Sequence, residues 1–188
     1  MKFKAGEMIE KFTVNKNGKK VEVIFRFPEL SDAKGAMISI NKLVNENALI
    51  GAVKKKNMKQ EKDWIKKLMQ EIKNKNSFCI FVEINGKYIG SCQLKRKPIE
   101  ATNHIAVIGI SLDRDYRKLG IGERLMKTSM NLAKKHMNIE IIWLDYFKGN
   151  PAAKLYIKLG FKECGWFPKM RKKGKIYHDG IIMYKFLK

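Results

Sequence analysis

A glycine-rich turn between a strand-like and a helical segment constrains this chain more than any other feature. It reads Arg117-Lys118-Leu119-Gly120-Ile121-Gly122, after an apolar run at 105–112 and before a long amphipathic pattern. Glycine permits positive φ and a close approach of the backbone to a ligand. The first amides of a helix lack intrahelical partners and carry the positive end of its dipole. With two basic side chains beside it, the turn predicts a diphosphate site.

Two common nucleotide-binding motifs do not match this turn. A Walker loop ends in Gly-Lys-Ser or Gly-Lys-Thr, whereas Gly122 is followed by Glu123 and Arg124. A dinucleotide fingerprint has a third glycine where Leu125 stands, and it opens a βαβ unit near the start of a domain. A purely structural alternative stays open, in which the glycines only shape a tight strand-to-helix connection.

The turn is similar to the Arg/Gln-x-x-Gly-x-Gly/Ala hallmark of the GNAT superfamily of N-acetyltransferases. Residues 108–117 resemble the strand and loop that enter this motif, with His104 near the start of the strand. Residues 150–161 resemble the second signature of the superfamily, in which an asparagine, an alanine, Leu-Tyr and Gly-Phe follow one another. Residues 177–184 resemble its closing strand. The resemblance runs from about Val21 to Leu187.

The resemblance implies an α/β (α+β) fold with a mixed, GNAT-like central sheet of six to seven strands and helices on both faces. The sheet would splay after the strand at 104–112. The sequence pattern agrees and predicts one domain over 1–188, with an extra N-terminal hairpin at 7–27 and a coenzyme-A-binding core at 104–161. Helices are predicted at 32–45, 61–74, 121–137 and after Asn150, and Asp32 is expected to cap the first of them. Strands are predicted at 77–84, 87–94, 139–147, 161–167 and 178–187, with a basic loop between the last two.

The resemblance also implies acetyl-CoA as co-substrate, and it assigns residues to it. The backbone at Ile110, Ser111 and Leu112 would hold the pantetheine arm. The amides of Leu119, Gly120, Ile121 and Gly122, helped by Arg117 and Lys118, would hold the diphosphate, and Asn150 and Ala153 would be further contacts.

Tyr156 would be the acid that protonates the leaving thiolate. Two structural alternatives stand beside these roles. A tyrosine on an apolar helix face is often core with a satisfied hydroxyl. Asn150 is also a good helix N-cap, followed by Pro151 at the first helical position and by Gly160 at the end.

The general base is left open, because the central strand carries no carboxylate. Asp145 and Glu83 are candidates, and so are His104, a water chain, or no base at all for an amine of low pKa. The three cysteines show no metal-ligand spacing, so no metal is expected.

The net charge of +22, from 40 basic and 18 acidic residues, bears on partners rather than on fold. Basic runs at 54–56, 95–97 and 169–175 are either a solvated surface or a field that attracts polyanions. The favoured function is transfer of an acetyl group to a primary amine of a small molecule or protein, by direct attack in a ternary complex. Polyamine acceptors are disfavoured by the charge. The alternatives are a ribosome- or nucleic-acid-associated protein acetyltransferase and a non-catalytic module that binds coenzyme A or RNA.

Nucleic acid is thus an open but not favoured partner, and the sequence does not decide between monomer and homodimer. No apolar run approaches membrane-spanning length, and the first residues lack the apolar core of a signal peptide, so a cytoplasmic location without membrane partners is expected. Cys79, Cys92 and Cys164 are expected to be buried and reduced. A two-residue turn at Asn85-Gly86 would place Cys79 directly opposite Cys92.

Overall fold

The computed structural model describes residues 3–187, which form one mixed sheet packed against helices. The strands are β1 (Met8–Lys16), β2 (Lys19–Arg26), β3 (Ser77–Ile84), β4 (Lys87–Arg96), β5 (Ile105–Leu112), β6 (Ile141–Phe147), β7 (Lys162–Lys173) and β8 (Ile176–Phe186). The helices are α1 (Ala33–Asn45), α2 (Met58–Lys73), α3 (Ile121–Met137) and α4 (Ala153–Lys158). The strand order is β1-β2-β3-β4-β5-β6-β8-β7, antiparallel except for β5 and β6.

The sheet has eight strands, one more than the six to seven expected. Both terminal hairpins are continuous with it, because β2 pairs with β3 and β8 pairs with β6. The basic run from Lys169 was expected to be a loop, but up to Lys173 it lies in β7, and the turn is Gly174-Lys175. Lysines suit this strand because β7 is the edge of the sheet, where charge discourages pairing with another chain.

Helices cover both faces of the sheet, as expected. Ile80 pairs with Cys92, which pairs with Ile110, so these three side chains share one face. α3 packs there, since a Cβ built on Gly122 would lie 3.6 Å from Ile110 Cδ1. Phe81 points to the other face, where its ring stacks on Trp64 of α2 at 5.9 Å. β3, covered on both sides, is buried almost throughout.

An ion-pair network joins β2 to β3 and to the start of α1. Arg26 donates to Asp32 at 2.5 and 2.9 Å and to Glu83 at 2.7 Å, and all three side chains are largely buried. The expectation that Asp32 caps α1 through its side chain is therefore wrong. Its carboxylate instead accepts from Arg26 and from the Glu29 amide. α2 does have a side-chain cap, from Asn57 to Gln60, and so begins at Met58 rather than at Glu61.

The sheet opens between β5 and β6. Only Ile105, Ala106 and Val107 of β5 pair with β6, opposite Ile141 to Trp143. From Ile108 to Leu112, β5 pairs with β4 alone. The splay expected after the start of the central strand is thus present, and it leaves one edge of β5 open over its last five residues.

A β-bulge in β4 shifts the register expected for the cysteines. Glu83 pairs with Tyr88, but Val82 pairs with Gly90, so Ile89 is an extra residue. Cys92 therefore lies opposite Ile80 instead of opposite Cys79, and the two thiols point to different faces. Gly90 is needed there, because a Cβ would lie 2.3 Å from the Ser111 carbonyl oxygen.

All three cysteines are free thiols, and Cys79 and Cys92 are buried as expected. Cys164 is exposed, contrary to expectation, because it lies on the edge strand β7. Among residues 3–187, no helix has the length and apolarity that crossing a bilayer requires.

Candidate functional site

The turn at 117–122 forms an open cradle of amides at the start of α3. Lys118 and Gly120 have φ of +63° and +77°, left-handed values that turn the chain from β5 into the helix. The first intrahelical hydrogen bond runs from the Arg124 amide to the Gly120 carbonyl, at 3.1 Å. No side chain of the described residues caps this end at Gly120. The amides before Arg124 are therefore free to bind an anion, which fits the diphosphate of coenzyme A.

The charges around the cradle are arranged to favour an anion. Lys118 is exposed at the turn, while Arg117 is half-buried and donates from Nε to the Leu112 carbonyl oxygen at 2.9 Å, which fixes the loop to the end of β5. Glu123 would oppose an anion, but it accepts from Lys127 at 2.8 Å and from Lys158 at 2.6 Å. These bonds lower the pKa of Glu123 to about 2. Its negative charge is thus matched by two cations.

The open edge of β5 begins beside this cradle. A Cβ on Gly122 would lie 3.6 Å from both Ile110 Cδ1 and Leu155 Cδ2, so α3, β5 and α4 meet at this glycine. Ser111 and Leu112 continue the strand, and no β6 residue pairs with them in the described chain. An extended arm with amide groups could pair with this edge as a strand does. The residues expected to hold pantetheine and diphosphate are thus contiguous in space.

Tyr156, expected to be the catalytic acid, lies on α4 next to Leu155. It is 7% exposed, and its ring lies 5.7 Å from Tyr146 and 6.1 Å from Phe161. Within residues 3–187 its hydroxyl donates to no protein group, and the hydroxyl oxygen is not fully buried. Burial, then the nearby Cys92 and Asp145, raises its pKa well above the usual range. Tyr156 therefore stays protonated near neutral pH.

Asn150 uses its side chain within the protein. Its Oδ1 accepts from the Ala152 amide at 2.9 Å, and its Nδ2 donates to the Leu49 carbonyl oxygen at 2.9 Å. Residues 150–152 form a turn, so α4 begins at Ala153, later than expected, and a left-handed Gly160 follows its end. Asn150 thereby ties the loop after α1 to α4. Ala153 and Asn150 line a cleft of about 640 Å³ beside the site.

The candidate bases are not equally placed. Glu83 is bound to Arg26 and lies on β3, away from the open edge. His104 precedes β5 at its paired end, about 20 Å along the strand from Ile110 at about 3.3 Å per residue. Asp145 lies on β6 beyond the point where the strands separate, half-buried, and burial raises its pKa. Of these three residues, Asp145 is the one whose charge acts on Tyr156.

A second cavity was missed by the sequence reasoning. It has a volume of about 300 Å³, and α1 and α2 enclose it against β4 and β5 on the face opposite α3. Glu61 lines it, 7% exposed and without a hydrogen bond or ion pair in the described chain. The sequence did carry a signal. Glu61 is in helical register with Trp64, Ile65, Leu68 and Ile72, on the apolar face of α2.

Three hydroxyls form the facing wall of this cavity, on Tyr88, Ser91 and Ser111. Residues three apart in a regular strand point to opposite faces, but the extra Ile89 lets Tyr88 and Ser91 point the same way. Tyr88 Oη donates to Ser91 Oγ at 3.0 Å, and Ser91 pairs with Ser111 across the strands. Ser111 thus takes part in both features, because its backbone lies on the open edge of β5 and its side chain lines the cavity.

Comparison with known proteins identifies the family of this chain. The family model described as "Acetyltransferase (GNAT) family" matches residues 40–161. The chain is 45% identical over 58 residues to an N-alpha-acetyltransferase of Sulfurisphaera tokodaii, a stretch covering 30% of this chain and 35% of that protein. It is 27% identical over 101 residues to the L-amino acid N-acetyltransferase AaaT of Escherichia coli, covering 53% and 62%. The chain thus spans less than two thirds of either curated relative.

Solved structures share the fold. That of yncA from Salmonella typhimurium, described with its cofactor acetyl-CoA, has a TM-score of 0.76 at 16% identity and covers 88% of this chain and 94% of that one. Superfamily membership, expected from the two motifs, is confirmed. Because the family model matches well over half of its residues, the chain belongs to the GNAT family of acetyltransferases.

Proposed function

We propose that this protein transfers the acetyl group of acetyl-CoA to a primary amine of a small molecule or protein, by direct attack in a ternary complex. One observation carries the proposal. The open amide cradle of α3, the open edge of β5 and α4 with Tyr156 all meet around Gly122. The family and the acetyl-CoA found with a protein of the same fold support this cofactor.

The candidate site contains the kinds of group that this reaction requires. Acetyl-CoA supplies a thioester carbonyl; a C–N bond forms there, the C–S bond breaks, the amine loses a proton and the sulfur gains one. Backbone amides along the open edge of β5 can polarise the carbonyl oxygen. Tyr156 holds a proton at its hydroxyl because burial raises its pKa. Asp145, or water beside it, can take the proton of the amine.

The role of Tyr156 is tested by Tyr156→Phe. Removal of a general acid lowers kcat by about 10²- to 10⁴-fold, and the affinity for coenzyme A should stay within about twofold, since the ring remains. Tyr177→Phe, exposed on the last hairpin, is the matched control and should behave like wild type. Equal turnover in Tyr156→Phe would remove this residue from the mechanism.

The cofactor is tested by thermal unfolding with excess acetyl-CoA, with ATP as a second polyanion, at low and moderate salt. A hundredfold excess over Kd stabilises the folded state by about 2.7 kcal/mol. A shift given by acetyl-CoA and retained in salt supports the proposal. Equal shifts with ATP that salt abolishes would show that the charge alone binds polyanions.

A second candidate is acetylation of a protein bound to nucleic acid, and the last hairpin favours it. Trp166, Phe167 and Tyr177 are exposed there, and Lys169 and Lys172 lie within 6 Å of the Tyr177 ring, at 5.7 and 5.3 Å. Aromatic rings interleaved with lysines suit single-stranded RNA. RNA binding that weakens steeply between about 50 and 200 mM salt, and weakens further in Trp166→Ala, would support this candidate. A non-catalytic module would instead bind coenzyme A without turnover on any amine.

A further inference from the structure

The cavity between the first two helices and the sheet lies on the acceptor side of the proposed reaction. β5 separates it from the coenzyme cradle, because Ile110 points towards α3 and Ser111 points into the cavity. The part of β5 that carries Ser111 is also the part unpaired with β6. A molecule in the cavity would therefore approach the open edge of β5 from the face opposite the coenzyme.

The cavity contains a carboxylate that the protein itself leaves unused. Glu61 is more than nine-tenths buried, yet none of the described residues donates to it or pairs with it. A buried ionised group without a partner is costly, so such groups are normally paired or functional. Glu61 therefore has the chemistry and the position to bind a cation that comes from outside.

The rest of the wall narrows the kind of cation. Lys56 also lines the cavity, and its backbone is fixed by two hydrogen bonds to the Asn41 side chain, at 2.7 and 2.9 Å. Lys56 and Glu61 do not form an ion pair with each other, although Lys56 acts electrostatically on the Glu61 carboxyl. Between them the wall is mostly apolar, with Ala36, Ile40, Leu43, Ala52 and Trp64. A ligand that joins an ammonium, a carboxylate and an apolar group would match all three.

We propose that this cavity binds the acceptor and that the acceptor is an apolar α-amino acid. Glu61 binds its ammonium group, Lys56 its carboxylate, and the apolar wall its side chain. The assignment rests on the proposed acetyl transfer for its biological meaning, whereas binding to the cavity does not require turnover. A volume of about 300 Å³ suits a molecule of this size.

The test combines kinetics with binding. L-leucine is the probe, and L-leucinamide, which lacks the carboxylate, is compared with it. Glu61→Gln should raise the KM for L-leucine at least tenfold and leave the KM for acetyl-CoA unchanged. Asp63→Asn removes the same charge two residues away on the exposed side of α2 and should match wild type. Lys56→Met should abolish the preference for L-leucine over L-leucinamide.

The binding arm uses amide chemical-shift titration with L-leucine in the presence of coenzyme A, which has no acetyl group to transfer. Shifts at Ser91, Ser111 and Trp64 that are lost in Glu61→Gln, but not in Asp63→Asn, would support the cavity. If no amine is acetylated while these shifts occur, the proposed function fails and the binding site stands. If acetylation proceeds and Glu61→Gln binds and reacts like wild type, the acceptor assignment is overturned. Equal KM values for leucine and leucinamide in wild type would overturn the role of Lys56.

Discussion

The two glycines of the cradle should respond to the same substitution in opposite ways. Gly120 has φ of +77°, and a Cβ there would meet no atom within 4 Å. Gly120→Ala is therefore unfavourable through backbone strain alone, by about 1–2 kcal/mol. Gly122 lies inside α3 without positive φ, and its Cβ would make ordinary contacts at 3.6 Å. Gly122→Ala should stabilise the fold by up to about 1 kcal/mol, since alanine restricts the unfolded chain and favours helix.

These values convert to melting temperatures. A domain of this size shifts by about 2–4 °C per kcal/mol, so Gly120→Ala should melt about 2–8 °C below wild type, and Gly122→Ala up to about 4 °C above it. Only Gly120→Ala should weaken coenzyme A binding, by about tenfold, because the strained turn aims the first amides of α3. Calorimetry with and without coenzyme A measures both effects. Equal shifts of the same sign would refute the assignment of backbone strain to Gly120 and of ordinary, unstrained contacts to Gly122.

Three further perturbations test the packing and the titrating groups. Arg26→Met leaves two largely buried carboxylates without their ion pair and should lower the free energy of unfolding by about 3–5 kcal/mol. The control, Lys11→Met in the exposed pair with Glu22, should lower it by at most about 1 kcal/mol. Similar losses for both variants in denaturant titrations would contradict the buried network. A thiol reagent should label one native cysteine quickly, and Cys164→Ser should abolish that phase, because burial raises the pKa of Cys92 to about 12 and that of Cys79 well above its usual value. Burial also raises the pKa of Glu61 from its usual value, so as pH falls the folded state binds this proton before the unfolded state does. Glu61→Gln should therefore raise the melting temperature near pH 7, and this gain should vanish below about pH 4.5. A gain that does not depend on pH would show that the carboxyl is not desolvated.

Local signals in the sequence predicted the secondary structure around the candidate coenzyme site well. The helix at 121–137 has the bounds expected, because Gly120 and an amphipathic pattern define its start and its buried face. The open edge of β5 also agrees with the expected splay of the sheet. These features depend on residues close together in the chain.

The proposed acceptor side depends on contacts between residues distant in the chain, and there the predictions from the sequence were incomplete. The position of Asp32 in the sequence is typical of a helix cap. Its carboxylate instead binds Arg26 of β2, which also binds Glu83 of β3. Glu83 was a candidate base because the sequence near it does not show its ion pair with Arg26, which lies on another strand. The burial of Glu61 was not expected, because an acidic residue in a helix is usually solvated and its burial here depends on how α2 packs on β3 and α1.

The bulge in β4 sets which residues line the acceptor cavity that we propose. If the register at the Asn85-Gly86 turn continued without it, Ser91 would lie opposite Ile80, on the face of α3, and Gly90 and Cys92 would point to the face of the cavity. The cavity wall would then lose the Ser91 hydroxyl without any change of residue type. The coenzyme cradle lies outside this hairpin and would be unaffected. A shift of one residue in the pairing of one hairpin is thus a route by which related sequences can exchange acceptors while keeping the same donor.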